Sequence, residues 1–276
     1  MYVFLFWAWV CWNIYFRKMN LFKSYNYIKD NLDLINSINV FPVFDKDTGN
    51  NVLYTLEGIK DIEVTRENLP DISERIIYNA RGNSGNILAL FFIGLSQNKD
   101  KNLHDMCKNA AEFTWNNMYN PQHGTILDAL GNVPENSDIE NFLFNYYNNS
   151  LNELIVGRNK LNILNDYNTV DAGTLCLVYI IKGLYEFICN RTIAFNIELN
   201  PINIGINKSK YKYCLNFNTK NNIVIPSDID IDSLIHINTE SINRFHLHTN
   251  DVDRVLNYVN KYGEVFNIYI QDMEKE

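Results

Sequence analysis

Cys176 to Leu199 reads C-L-V-Y-I-I-K-G-L-Y-E-F-I-C-N-R-T-I-A-F-N-I-E-L, and the texture of the chain changes inside it. Cys176 to Cys189 is a nearly unbroken apolar run of helix length. From Ile193 the large apolar residues take every second place, the period of a half-buried strand. Upstream, the sequence reads as helix after helix joined by short loops, several of them containing glycine. Downstream it reads as short strands around one helix. The expected fold is therefore multidomain, with an all-α domain over residues 19–192 and a small α+β domain over residues 200–276. The boundary falls near Arg191 to Pro201.

Working back from the switch, helical spacing runs through Leu21, Tyr25, Ile28, Leu32 and Ile35, predicting a helix over Leu21 to Ile38. Val52, Leu53, Leu56 and Ile59 form the buried stripe of another helix, capped from Thr48 to Asn51. Further helices are expected from Ile72, over Asn86 to Leu95, Leu103 to Tyr119 and Ile139 to Val156. Working forward, strands are expected at Ile193–Leu199, Tyr211–Phe217, Ile223–Ile225, Ser241–Thr249 and Val265–Ile270. A helix over Asp251 to Tyr262 would be closed by Gly263.

The chain of 276 residues is 46% hydrophobic and 20% charged, a globular composition. Its net charge of −8 argues against nucleic acid as a partner. Five cysteines, Cys11, Cys107, Cys176, Cys189 and Cys214, are too dispersed for a disulfide framework, and their odd count fits a reducing compartment. Met1 to Lys18 is apolar and aromatic but shorter than the roughly 20 residues of a membrane helix, and it lacks the charge order of a signal peptide. Three readings stay open for it: a short anchor giving peripheral membrane association, a buried helix, or a true start at Met19.

Chemistry-bearing residues cluster in five places. In N-S-I-N-V-F-P-V-F-D-K-D-T-G-N-N (Asn36 to Asn51), Asp45 and Asp47 stand two apart on a loop, where they could converge on Mg²⁺ or Ca²⁺. Gly49 would let the backbone approach a ligand; the alternative is an ordinary Asx turn. In A-R-G-N-S-G, Gly82, Asn83, Ser84 and Gly85 open a helix and suit a phosphate cradle, or form a plain turn. Gly124 and Thr125 open a helix beside His123, which reads as a loop histidine. V-D-A-G leads into the apolar helix at Cys176. In F-H-L-H-T, His246 and His248 share one face of a strand, as a common metal requires, and Cys214 could join them; the alternative is two half-exposed histidines.

Taken together, residues 36–49, A-R-G-N-S-G (80–85), H-G-T-I-L (123–127), V-D-A-G (170–173) and H-L-H-T-N-D (246–251) resemble the nucleotide-binding subunit of bacterial fatty acid kinase. Its first domain is similar to the ATP-binding domain of dihydroxyacetone kinase. The resemblance implies an antiparallel barrel of about eight helices with Mg-ATP at one rim. It implies Asp45 and Asp47, with Asn39, as Mg²⁺ ligands. It implies Gly82, Asn83, Ser84 and Gly85 as the phosphate loop. Thr48, Gly49, Asn51, Gly124 and Thr125 would be further phosphate or nucleotide contacts, Asp171 and Gly173 would lie near the nucleoside, and Cys214, His246 and His248 would be Zn²⁺ ligands. The implied activity is cytoplasmic transfer of the ATP γ-phosphoryl group to a fatty acid on a separate carrier protein, by a homodimer. Two other readings remain: a small-hydroxyketone kinase of the dihydroxyacetone type, and a nucleotide-binding scaffold without turnover.

The sequence departs from the family at three points. Lys46 stands where the family has glycine, and Phe44 where it has proline. The V-D-A-G loop continues as Thr174-Leu175-Cys176 rather than with a second glycine. Family members also continue into a C-terminal domain implicated in engaging the carrier. The sequence stops before it, so the expectation is a fragment, a split subunit or a decayed homologue.

Overall fold

The computed structural model describes residues 19–42, 45–118, 120–135, 138–202, 210–239 and 241–273, and among these ten α-helices precede the sheet. The first expected helix is two: α1 (Phe22–Asp30) and α2 (Leu32–Ser37). They part at Asn31, whose side-chain amide donates to the Tyr27 carbonyl at 2.8 Å and competes with continuation of the helix. There follow α3 (Thr48–Glu57), α4 (Leu69–Asn79), α5 (Gly82–Gln97), α6 (Leu103–Asn117), α7 (Ile126–Gly131), α8 (Ile139–Val156), the short α9 (Asn162–Asp166) and α10 (Ala172–Cys189). Asn102, Asp138 and Asp171 cap α6, α8 and α10 by accepting the amides of Asp105, Asn141 and Thr174.

Helix α10 is the axis of this domain, packed against α1, α3, α7 and α8. It is long and apolar enough to cross a membrane, yet 78% of it is buried inside the protein, as a central core helix must be. Gly183 lets α1 come close: a Cβ there would lie 2.3 Å from the Ser24 amide nitrogen. Two charges on α10 are buried as well. Lys182 pairs with Glu186, and Glu186 also accepts from the Tyr27 hydroxyl at 2.5 Å and from the Ile193 amide at 3.0 Å. Burial works against the ionised Glu186, but these donors outweigh it and hold its pKa below the usual carboxylate value.

Residues 193–199 are not a strand. Ile193, Phe195, Ile197 and Leu199 are half-buried against the helical core and the residues between them are exposed, with no ladder partner among the described residues. The segment is a strap over the helices, tied by the Tyr147 hydroxyl donating to the Ala194 carbonyl at 3.0 Å. Ile223–Ile225 is not a strand either: Ile223 plugs the small core while Val224 is exposed.

The sheet comprises β1 (Tyr213–Thr219), β2 (Ile231–Asn238), β3 (Asn243–Thr249) and β4 (Val265–Asp272), antiparallel in the order β2-β3-β1-β4. Helix α11 (Val252–Asn260) lies on one face. Gly263 follows α11 without taking a left-handed conformation; Lys261 is the C-cap. Leu215, Phe217, Phe245 and Leu247 point to α11 and pack on Val255 and Val259. The opposite face of β1 and β3 carries Cys214, Asn216, Asn218, Arg244, His246 and His248, all buried, and at Arg244 it meets the helical domain. Ile235 and Ile237 of β2 join the core of that domain directly. Met1 to Lys18 and Phe44 lie outside the described residues.

Candidate functional site

The aspartate loop runs from the end of α2 into α3. Asn39 is buried and donates its side-chain amide to Asp45 Oδ1 at 2.6 Å. Asp47 precedes α3 but does not cap it; its Oδ2 instead accepts from Gln271 of β4 at 2.8 Å. Burial, then the neighbouring Asp47 carboxylate, push Asp45 well above the ordinary carboxylate range, while Asn39 pulls the other way. Between the two aspartates Lys46 adopts φ 54°, the left-handed region. A non-glycine residue there costs about 1–2 kcal/mol. Thr48 and Asn51, in the first turn of α3, are buried. Gly49 brings the backbone close to α2 rather than to open space, with its amide donating to Asn36 Oδ1 at 2.8 Å.

The A-R-G-N-S-G turn joins α4 to α5. Gly82 has φ 56°, and a Cβ on it would lie 2.2 Å from Asn51 Nδ2, so both conformation and space call for glycine. Asn83 and Ser84 then line a cavity of about 430 Å³ together with Thr125, Asp171 and Gly173. Asp171 Oδ2 accepts from the Ile126 amide at 2.9 Å, the Thr174 amide at 2.7 Å and the Thr174 hydroxyl at 2.8 Å, tying the Thr125 turn to the start of α10. Phe41 and Pro42 of the aspartate loop form part of the wall, and Asp232, Ser233 and Ile235 of β2 bring in the second domain. Gly85 serves packing: a Cβ there would meet Thr55 Oγ1 at 2.4 Å. Gly124, at φ 83°, sits against the Gly157 carbonyl behind the cavity. His123 is exposed and paired with Asp128 at 2.8 Å, a loop histidine. Asp47 and Asn51 line a second cavity, of about 400 Å³.

Cys214, His246 and His248 stand together on the buried polar face, their ligand atoms all within 4.8 Å of one another. Strand pairing sets Cys214 opposite His248 and Asn216 opposite His246. Asn216 donates to Cys214 Sγ at 3.3 Å and accepts from His246 Nδ1 at 3.2 Å. His246 Nε2 is buried and has no partner among the described residues. Burial lowers the pKa of both imidazoles and, with help from Asp47 and Asp45, raises that of the Cys214 thiol. Neutral imidazoles, a thiol and an orphaned ring nitrogen converging on one point fit a zinc donor set. Asp45 and Asp47 are also near enough to act on Cys214 electrostatically, so the aspartate pair and the Cys-His-His cluster lie close together where the helices meet the sheet.

Three residues of this region had no assigned role in the sequence. Arg244 is almost fully buried, donating to Asn218 Oδ1 at 2.9 Å and to the Ala80 carbonyl, and burial lowers its pKa to about 10. Its place in the alternation with His246 and His248 was the available signal. Gln271 and Asp232 had none, because their partners are far away in sequence.

Residues 210–276 match the family model of the FakA-like middle domain, the middle domain of proteins resembling the A component of fatty acid kinase. An uncharacterized protein of Staphylococcus haemolyticus is 25% identical over 295 aligned positions, covering 90% of this chain and 53% of its own length. One from Staphylococcus saprophyticus is 26% identical over 294 positions with the same coverage. One from Staphylococcus aureus is 25% identical over 295 positions, again with the same coverage. The chain thus spans about half the length of the curated relatives it matches.

Proposed function

We propose that this chain is the nucleotide-binding subunit of a fatty-acid-kinase-type phosphotransferase, transferring the ATP γ-phosphoryl group to a fatty acid carboxylate. The observation that carries the reading is the 430 Å³ cavity. It gathers Asn83, Ser84, Thr125, Asp171 and Gly173 from three separate sequence motifs, with the aspartate loop at its wall. Free amides and hydroxyls at the first turn of α5 suit the phosphates. Asp45, Asp47 and Asn39 would hold Mg²⁺; a buried carboxylate whose pKa is held up by burial and by the neighbouring Asp47 carboxylate fits a divalent cation placed between the two. The ion would supply neutralisation of the phosphate charge.

In the reaction a carboxylate oxygen attacks the γ-phosphorus, the bond to the β,γ-bridging oxygen breaks, and ADP leaves with that electron pair. The product is an acyl phosphate. The attacking carboxylate is already ionised at neutral pH, so no general base is needed, and positioning carries the step. In the same proposal Cys214, His246 and His248 hold Zn²⁺ as a structural centre, a carrier protein presents the acyl chain, and the protein works in the cytoplasm as a homodimer.

The test is calorimetric titration of ATP with and without Mg²⁺, on the wild type and on Asp45→Asn/Asp47→Asn. Mg-dependent binding that is lost in the double variant is expected. A folded wild type that ignores Mg-ATP would overturn the reading.

A further inference from the structure

The A-R-G-N-S-G turn is a partition. Asn83 and Ser84 line the 430 Å³ cavity, whereas Arg81, two residues earlier, lines the second cavity of about 400 Å³, which shares no lining residue with the first. Asp47 and Gln271 form part of that second wall, so strand β4 and the aspartate loop close it together. The guanidinium of Arg81 lies between two tyrosine rings, 3.1 Å from the ring centre of Tyr54 and 3.8 Å from that of Tyr269. Stacking uses both flat faces of a guanidinium and leaves its edge, with its N–H donors, in the plane between the rings. Among the described residues that edge makes no ion pair and no hydrogen bond. The cavity's two carboxylates are engaged elsewhere, Glu57 by Lys60 at 2.5 Å and Asp47 by Gln271. A fixed, planar, half-buried cation with a free edge is built for a bidentate carboxylate.

We infer that this second cavity is the subsite for the acceptor carboxylate, with Arg81 as its anchoring cation. The inference rests on the kinase reading and deepens it. Phosphoryl transfer wants attacking and leaving oxygens on opposite sides of the phosphorus. A turn that places the phosphate-cradling residues in one cavity and the carboxylate anchor in a separate one supplies that division. Arg81 holds one end of the acceptor's head group, and the chain leaves past Tyr54, a residue 41% exposed.

Octanoate serves as the probe. Calorimetric titration into the wild type, Arg81→Lys and Arg81→Met, without nucleotide, is paired with a titration of Mg-ATP into the same three proteins. The expected result is octanoate affinity reduced about tenfold or more in Arg81→Met and less in Arg81→Lys, with ATP affinity within about twofold of wild type. Octanol, which lacks the carboxylate, should show no dependence on Arg81. In the wild type, octanoate should also protect Arg81 from phenylglyoxal, located by peptide mass spectrometry; this arm needs no variant to fold. Octanoate binding that ignores Arg81, no octanoate binding at all, or octanol protecting Arg81 equally well would overturn the inference. If Mg-ATP binds while octanoate ignores Arg81, the subsite falls and the kinase reading stands. If octanoate depends on Arg81 but Mg-ATP does not bind, the kinase reading falls and a carboxylate site remains.

Discussion

Lys46 carries a left-handed backbone, the conformation to which glycine is best suited. The strain is separable from the side chain's own contacts by comparing two truncations. Lys46→Gly should be more stable than Lys46→Ala by about 1 kcal/mol in urea denaturation. Equal stability would mean that the loop does not need φ > 0. Glu186 is the opposite case, a residue whose type misleads: a charge in an apolar helix looks like an exposed face, yet it sits in the core with Lys182. Glu186→Gln leaves that ammonium without its counter-charge and should destabilise the fold by about 3–5 kcal/mol. Because the folded pKa of Glu186 is depressed, its contribution is complete above the unfolded value of about 4.3 and fades as pH falls through the lower folded value. Thermal midpoints of wild type and Glu186→Gln should therefore converge below about pH 4 and stay apart at neutral pH. Parallel curves across that range would exclude the linkage.

Alternation was the signal for strands, and the elements show both of its failures. Residues 193–199 alternate because they lie along a helical surface that buries every second side chain, not because another strand pairs with them. Strand β2 is the reverse: its ladder to β3 shifts register between Asp232 and Ile235, and Ser233 takes φ 54°, so the period is broken where it would have been read. The helices were legible because their stripes are long; α8 runs over the residues its spacing marked. The face shared by His246 and His248 was legible for the same reason that its surroundings were not. Period two places the two imidazoles together, but nothing local says that the polar face is turned inward. If that face holds zinc, chelation should lower the wild-type melting temperature, and added Zn²⁺ should restore it. His246→Ala should melt at one temperature with or without chelator. A wild type indifferent to chelator would leave the cluster as a hydrogen-bonded core.

At the scale of the molecule, the sheet is fastened to the helices by contacts that reach deep on both sides. Ile235 and Ile237 share the large core, Arg244 reaches the Ala80 carbonyl, and Ser241 donates to Glu74 Oε1 at 2.8 Å. Scanning calorimetry should therefore show one cooperative transition for both parts. Two resolved transitions would mean that the boundary carries little energy. Both cavities are built across that boundary, which is why the sequence could name Ser84 and Asp171 but not Asp232 or Gln271. Motifs mark residues that act alone, whereas a wall appears only when distant segments meet.

The bond between Gln271 and Asp47 joins residues 224 positions apart. A ribosome adding about 5–20 residues per second needs roughly ten to fifty seconds to travel that distance. Through that interval the nascent helices carry the aspartate loop without strand β4, and the cavity beside Arg81 has only one wall. The loop's final geometry is thus reached only after the sheet has emerged and docked.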